Sequence, residues 1–215
     1  MKGECDFTYR HYEFILDEIR RFYNHYTFNQ RTEVDRGKPI IFIRHDVDCG
    51  LHYVLNIARL ERKYNIRTTY FVRIDAIGYN PFSYPNSRHI IQLRELGHEI
   101  GLHFSTSKVA QGNSVLSYIK QQKDFVEAFF GIEIVSASAH EPTRQSCKVT
   151  EQELNQIGIK NYAYGQFFFR ELKYISESGG EWREGCVCNF LAKKIDLQVL
   201  THPFWWYEST PLENY

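Results

Sequence analysis

The chain is predicted to be an α/β protein built around a parallel sheet. Three observations lead there. Short apolar runs alternate with amphipathic helical stripes along most of the length. Four of those apolar runs end abruptly in carboxylate or imidazole side chains. And 215 residues, 43% of them hydrophobic and 16% aromatic, suffice for one sizeable core, so a single domain over 1–215 is expected.

Taken in order, Tyr12, Ile15, Leu16, Ile19, Phe22 and Tyr23 form a helical stripe within 8–26, with Thr8 as its N-cap. The run Pro39 to Arg44 is a buried strand that delivers His45, Asp46, Val47 and Asp48 at its carboxyl end. Leu51, Val54, Leu55 and Ala58 mark a helix starting near Gly50, and Thr68 to Val72 a strand. The stretch Gly78 to Ser87 reads as a loop, followed by a helix from Ile90 to Leu96 that Gly97 closes. Gly97 to His103 is a strand, and Val115, Tyr118, Ile119, Gln122, Phe125, Val126 and Phe129 fit a helix that runs to Gly131. Ile134 to His140 is the next strand, Thr150 and Glu153 form a capping box for a short helix stopped by Gly158, and strands follow near Tyr162, near Tyr174 and at Leu197 to Thr201. Each crossover must return the chain to the same edge, so the strands run parallel. Periodicity leaves open whether they form a doubly wound sheet or a closed barrel; in both, the site lies at the carboxyl ends of the strands.

The composition excludes several functions. Twenty-six basic residues balance twenty-six acidic ones, which argues against nucleic acid and against an anionic membrane surface as partners. No apolar run approaches the roughly 18 residues of a membrane span, and the first residues lack the apolar stretch of a secretory signal, so a cytoplasmic protein is expected. The five cysteines are odd in number, and Cys186 and Cys188 lie too close together for a zinc ribbon, so reduced thiols are expected.

The strand ends carry the chemistry. Asp46 and Asp48, His103, His140 and His202 would converge on one rim if their strands are neighbours, a set able to hold a divalent cation and leave a carboxylate as base. Each also has a plainer reading: Asp48 as a helix N-cap, His140 as a turn residue, Trp205 and Trp206 as core, and His45, His52 and His98 as structural supports.

The segments Ile41 to Asp48 (IFIRHDVD), Gly97 to His103 (GHEIGLH), Tyr174 to Gly185 (YISESGGEWREG) and Leu200 to Trp206 (LTHPFWW) resemble the ordered motifs of the polysaccharide deacetylases, carbohydrate esterases with a NodB-type domain. The closest likeness is to short members linked to surface-glycan biosynthesis, such as that of O-antigen and lipopolysaccharide. The resemblance implies an irregular (β/α)7-type barrel and a metal-dependent N-deacetylase of an N-acetylated sugar or glycan intermediate. It implies Asp46 as general base, Asp48 and His103 as metal ligands, His202 as the acid that protonates the leaving amine, and Trp182 as an aromatic wall.

Two departures stand out. The second metal histidine of many members falls at Ser107 here, which makes His140 the candidate third ligand. The motif with a base-orienting arginine reads Ala139-His140-Glu141-Pro142-Thr143, leaving Glu141 or Arg144 for that task. Trp182, Trp205 and Arg144 are the candidates for contacting substrate. Zinc is the default ion, and the mixed ligand set also accommodates cobalt, nickel, manganese or iron. Two alternatives remain: a non-catalytic glycan-binding or scaffolding relative with a degenerate metal site, and an allantoinase-like hydrolase of a small amide.

Overall fold

The computed structural model describes residues 5–106, 109, 114–143 and 148–215. Its centre is an eight-stranded sheet whose paired strands all run parallel. The strands are β1 (Asn24–Tyr26), β2 (Ile40–Val47), β3 (Thr69–Val72), β4 (Glu99–Phe104), β5 (Ser136–Ala139), β6 (Asn161–Tyr162), β7 (Lys173–Ser176) and β8 (Leu197–Thr201). Seven of them follow the order β6-β5-β4-β3-β2-β8-β7, and β1 pairs with β2 beside this path. They curl into a half-barrel with helices outside, which resolves the choice between open sheet and barrel that periodicity left open.

Strand alternation sorts β2 into two faces. Ile41 and Ile43 point outward, into the cluster with the first helix, α1 (Tyr9–Phe22); Ile40 and Phe42 point inward, onto Phe28, Phe71 and Phe168. Close packing inside the barrel requires Gly101 on β4, because a Cβ there would lie 2.4 Å from the Phe71 ring. Between β6 and β7 the wall is filled by aromatic side chains, with Tyr164, Phe169 and Tyr174 in mutual ring contact.

The helices follow their sequence signals with instructive exceptions. Thr8 caps α1 by accepting a hydrogen bond from the His11 amide at 3.1 Å, and Arg20 and Arg21 face the negative end of the helix dipole. The helix stops at Phe22 rather than near 26, because Asn24–Tyr26 pairs with Ile40–Phe42 as β1. Helix α2 spans Val54–Lys63, so Asp48 is not its N-cap. Helix α3 (Tyr84–Glu95) begins inside the stretch read as a loop, with Pro85 in its first turn, where the missing N–H costs nothing. Helix α4 (Val115–Phe130) ends at Gly131, whose φ of 59° is left-handed, and α5 (Glu151–Gln156) carries the expected capping box. The last helix, α6, is the single turn Cys188–Leu191. No helix among the described residues is long and apolar enough to cross a membrane.

A buried carboxylate ties α2 to the back of the sheet. Glu61 accepts hydrogen bonds from Tyr12 (2.6 Å), Tyr70 (2.7 Å) and Thr68 (2.9 Å), and meets the imidazole of His45 at 2.7 Å. His45 and His98 are thus structural supports: His98 takes the Thr68 amide at 3.2 Å and faces the Ala58 carbonyl. Burial would raise the Glu61 pKa, yet His45, His98 and the hydroxyl donor draw it down to about 2. Its stabilising contribution is therefore complete above the unfolded-state value of about 4.3 and is lost as pH falls through about 2. We expect Glu61→Gln, which turns an acceptor into a donor against these donors, to cost roughly 3–5 kcal/mol at neutral pH. In urea titrations the gap from wild type should close between pH ~4 and ~2; a gap independent of pH would remove the charge from the explanation.

Candidate active site and metal centre

All five strand-end residues singled out in the sequence meet at the carboxyl mouth of the barrel, and three form a cluster able to hold a metal ion. Asp48 follows β2, His103 is in β4 and His140 follows β5. Asp48 Oδ1 lies 3.2 Å from His103 Nε2 and 3.1 Å from His140 Nδ1, and the three ligand atoms all lie within 4.8 Å of one another. That oxygen is buried and makes a hydrogen bond to neither ring. Metal–ligand bonds of about 2.0–2.2 Å place neighbouring ligand atoms roughly 3 Å apart, so the spacing fits three donors converging on one small cation. His103 has the matching tautomer: Nδ1–H donates to the Ser138 carbonyl at 3.0 Å, leaving the Nε2 lone pair toward Asp48. Burial opposes the Asp48 charge, but His103, His140 and His202 outweigh it and hold the carboxyl well below the usual range. The residues present therefore fit a divalent ion.

Asp46, 3% exposed, sits beside this set rather than in it. Its Oδ2 accepts a hydrogen bond from the Ser138 hydroxyl at 3.1 Å and lies 3.7 Å from His103 Nε2. Its Oδ1 is buried without a hydrogen-bond partner, a carboxylate oxygen available to take a proton.

Arg44 was not anticipated. It lies two residues before Asp46 on the same face of β2, has no exposed surface, and places Nη2 3.7 Å from Asp46 Oδ2. Nη1 donates to Ser138 Oγ at 3.0 Å, which in turn donates to Asp46; Nη2 donates to Tyr164 Oη at 2.7 Å, and the guanidinium lies over the Tyr164 ring. Burial works against this charge, and Asp46 with the two tyrosines Tyr164 and Tyr174 reverses the effect, raising the Arg44 pKa above its ordinary value. Glu141, the other expected partner of the base, is exposed with a left-handed φ of 44°. Ser107 and Arg144 lie outside the described residues.

His202, after β8, presents Nε2 3.5 Å from Asp48 Oδ2. Its Nδ1 is 2.8 Å from Glu177 Oε2, and its backbone N–H donates to the same oxygen. Glu177 is fully buried just beyond β7, and its other oxygen accepts from the Gly180 amide at 3.1 Å. Glu177 is the second residue that sequence reasoning missed. Burial disfavours the imidazolium, but Glu177 and the two aspartates raise the His202 pKa on balance. Arg73, buried and held by Asp75 at 3.2 Å, adds a cation 3.7 Å from Asp48.

The aromatic candidates divide. Trp182 is stacked on Phe7 at 5.6 Å and lines a small apolar cavity with Tyr12, Val187 and Trp206, so the contacts it makes are those of a packing residue. Trp205 is half-buried, three residues past His202, and packs on the turn at Gly180. Trp206 is core, its indole N–H donating to Thr201 at 2.7 Å.

No protein-family model matches the chain, and no curated protein resembles it in sequence. Solved structures do resemble it. The Streptococcus pyogenes deacetylase PplD, in complex with acetate, superposes with a TM-score of 0.54 at 11% identity, over 89% of this chain and 80% of that one. The peptidoglycan deacetylase PdaC from Bacillus subtilis gives 0.51 at 17%, over 80% and 78%. A CE4 family pseudoenzyme from Bacillus anthracis gives 0.51 at 15%, over 84% of this chain and 59% of that one. The chain carries the fold of this deacetylase group.

Proposed function

We propose that this chain is a metal-dependent N-deacetylase acting on an N-acetylated amino sugar, as part of surface polysaccharide or lipopolysaccharide assembly. The observation that carries the reading is that Asp46 and His202 both border the Asp48, His103 and His140 cluster, Asp46 at 3.7 Å from His103 and His202 at 3.5 Å from Asp48, each with its own buried positioning partner. The likeness to deacetylases in fold, and to surface-glycan members in sequence motifs, supports the substrate class.

When bound by Asp48, His103 and His140, a divalent ion, zinc by default, supplies Lewis acidity toward the acetamide carbonyl and acidifies water. Asp46 takes the proton of the attacking water on its unpartnered Oδ1. Arg44, through Ser138, fixes the other carboxylate oxygen and compensates its charge. His202, its Nδ1–H held by Glu177 and its Nε2 in the mouth, acts as the imidazolium and delivers the Nε2 proton to the departing nitrogen as the C–N bond breaks, ending as the neutral Nδ1–H tautomer. Acetate and a free amino sugar leave.

The test is acetate and amine release in equal amounts from a panel of nucleotide-linked, lipid-linked and oligomeric N-acetylated sugars, abolished by a chelator and restored by Zn²⁺. Turnover of small cyclic amides alone would reassign the substrate. Inertness toward both panels by metal-loaded protein would place the chain with the non-catalytic members of the fold. We further expect His202→Ala to slow amide hydrolysis far more than hydrolysis of an activated ester, whose leaving group needs no proton. Equal slowing of the two would refute its role as acid.

A further inference from the structure

A second cluster of metal-binding side chains lies outside the barrel, where the first turn of α1 packs near Trp206. Cys5, His11, Cys186 and Cys188 place their ligand atoms within 4.8 Å of one another. His11 Nε2 is 3.0 Å from Cys188 Sγ and 3.6 Å from Cys186 Sγ. Tetrahedral zinc, with bonds of about 2.3 Å to sulfur and 2.0–2.1 Å to nitrogen, sets sulfur and nitrogen roughly 3.5 Å apart and two sulfurs roughly 3.8 Å apart.

The surroundings are those of a structural site. His11 Nδ1 lies 2.6 Å from the Asp6 carbonyl and donates its proton there, so the Nε2 lone pair faces the sulfurs, as an outer hydrogen bond does for most metal-bound histidines. The Cys188 amide donates to Cys186 Sγ at 3.5 Å. His11, Cys186 and Cys188 are buried, and exposed Cys5 completes the set from the solvent side. Four protein ligands leave no position for substrate, unlike the three-ligand set in the barrel mouth.

We propose that these four residues bind a structural zinc-type ion in a Cys3His site. The ion would join the segment before α1, the first turns of α1 and the turn entering α6. Phe7 and Trp182 stack within the same region, and the chain leading to it carries Glu177, so the clamp would brace the wall behind His202. This inference is independent of the catalytic assignment.

The test titrates the protein, purified reduced and metal-free, with Cd²⁺ and Co²⁺ while recording ultraviolet absorption. Only a sulfur-ligated ion gives an intense thiolate charge-transfer band, so the imidazole–carboxylate site in the mouth is silent. We expect that band to saturate at one ion per chain, to raise the Tm, and to vanish in Cys188→Ser. In wild type, three thiols should become unreactive to a thiol reagent when the ion is bound and reactive again once it is removed. Absence of the band in wild type, with thiol reactivity unchanged by the ion, would overturn the proposal, as would a disulfide among these cysteines in the protein as isolated.

Discussion

Asp46→Asn is expected to lower the turnover of an acetamide substrate by roughly 10²- to 10⁴-fold, the scale of a lost general base, with metal content unchanged. The substitution keeps the shape of the side chain and removes its basicity. Metal content survives because Asp46 Oδ2 meets the ligand set only through His103, at 3.7 Å, whereas Asp48 meets both imidazoles within 3.2 Å. The fold survives because Arg44 retains Ser138 and Tyr164, although losing its buried counter-charge costs stability, at most roughly 3–5 kcal/mol. Turnover, metal analysis and circular dichroism on one preparation decide the matter. If metal and activity are lost together, Asp46 is a ligand.

His140→Ala is expected to weaken metal affinity by more than the 10- to 100-fold that removing an outer-shell partner costs, and to abolish turnover at limiting metal. The imidazole supplies one of the two ring nitrogens within 3.2 Å of Asp48 Oδ1. Neutral imidazole is a strong ligand for a borderline cation, whereas a serine hydroxyl is a weak one, so Ser107→Ala should leave affinity at the wild-type level. Competition with a chromophoric chelator measures both variants. Unchanged affinity in His140→Ala would return that residue to a turn histidine.

Much of this site was legible because parallel sheets gather their strand ends. Asp46, Asp48, His103, His140 and His202 stand out where apolar runs stop, and the topology brings those runs side by side. Arg44 was hidden by the same pattern: it reads as the polar end of Pro39 to Arg44, while β2 continues to Val47 and buries it. The available cue was strand alternation, since residues two apart share a face and Arg44 shares Asp46's. Glu177 gave a similar cue just after Ile175, obscured by the short polar strand around it. Strand β1 has three residues, too few for any period, and ends a helix whose apolar stripe had no other reason to stop at Phe22. The cysteine cluster eluded spacing rules altogether, because its ligands come from opposite ends of the chain and only folding makes them neighbours.

Whether Asp48, His103 and His140 hold a divalent cation beside Asp46 and His202 is decided by diffraction from crystals of zinc-loaded protein on both sides of the zinc absorption edge. An anomalous peak is expected roughly 2.0–2.2 Å from Asp48 Oδ1, His103 Nε2 and His140 Nδ1. Zinc elsewhere in the same crystals, with no peak among these three atoms, would contradict it.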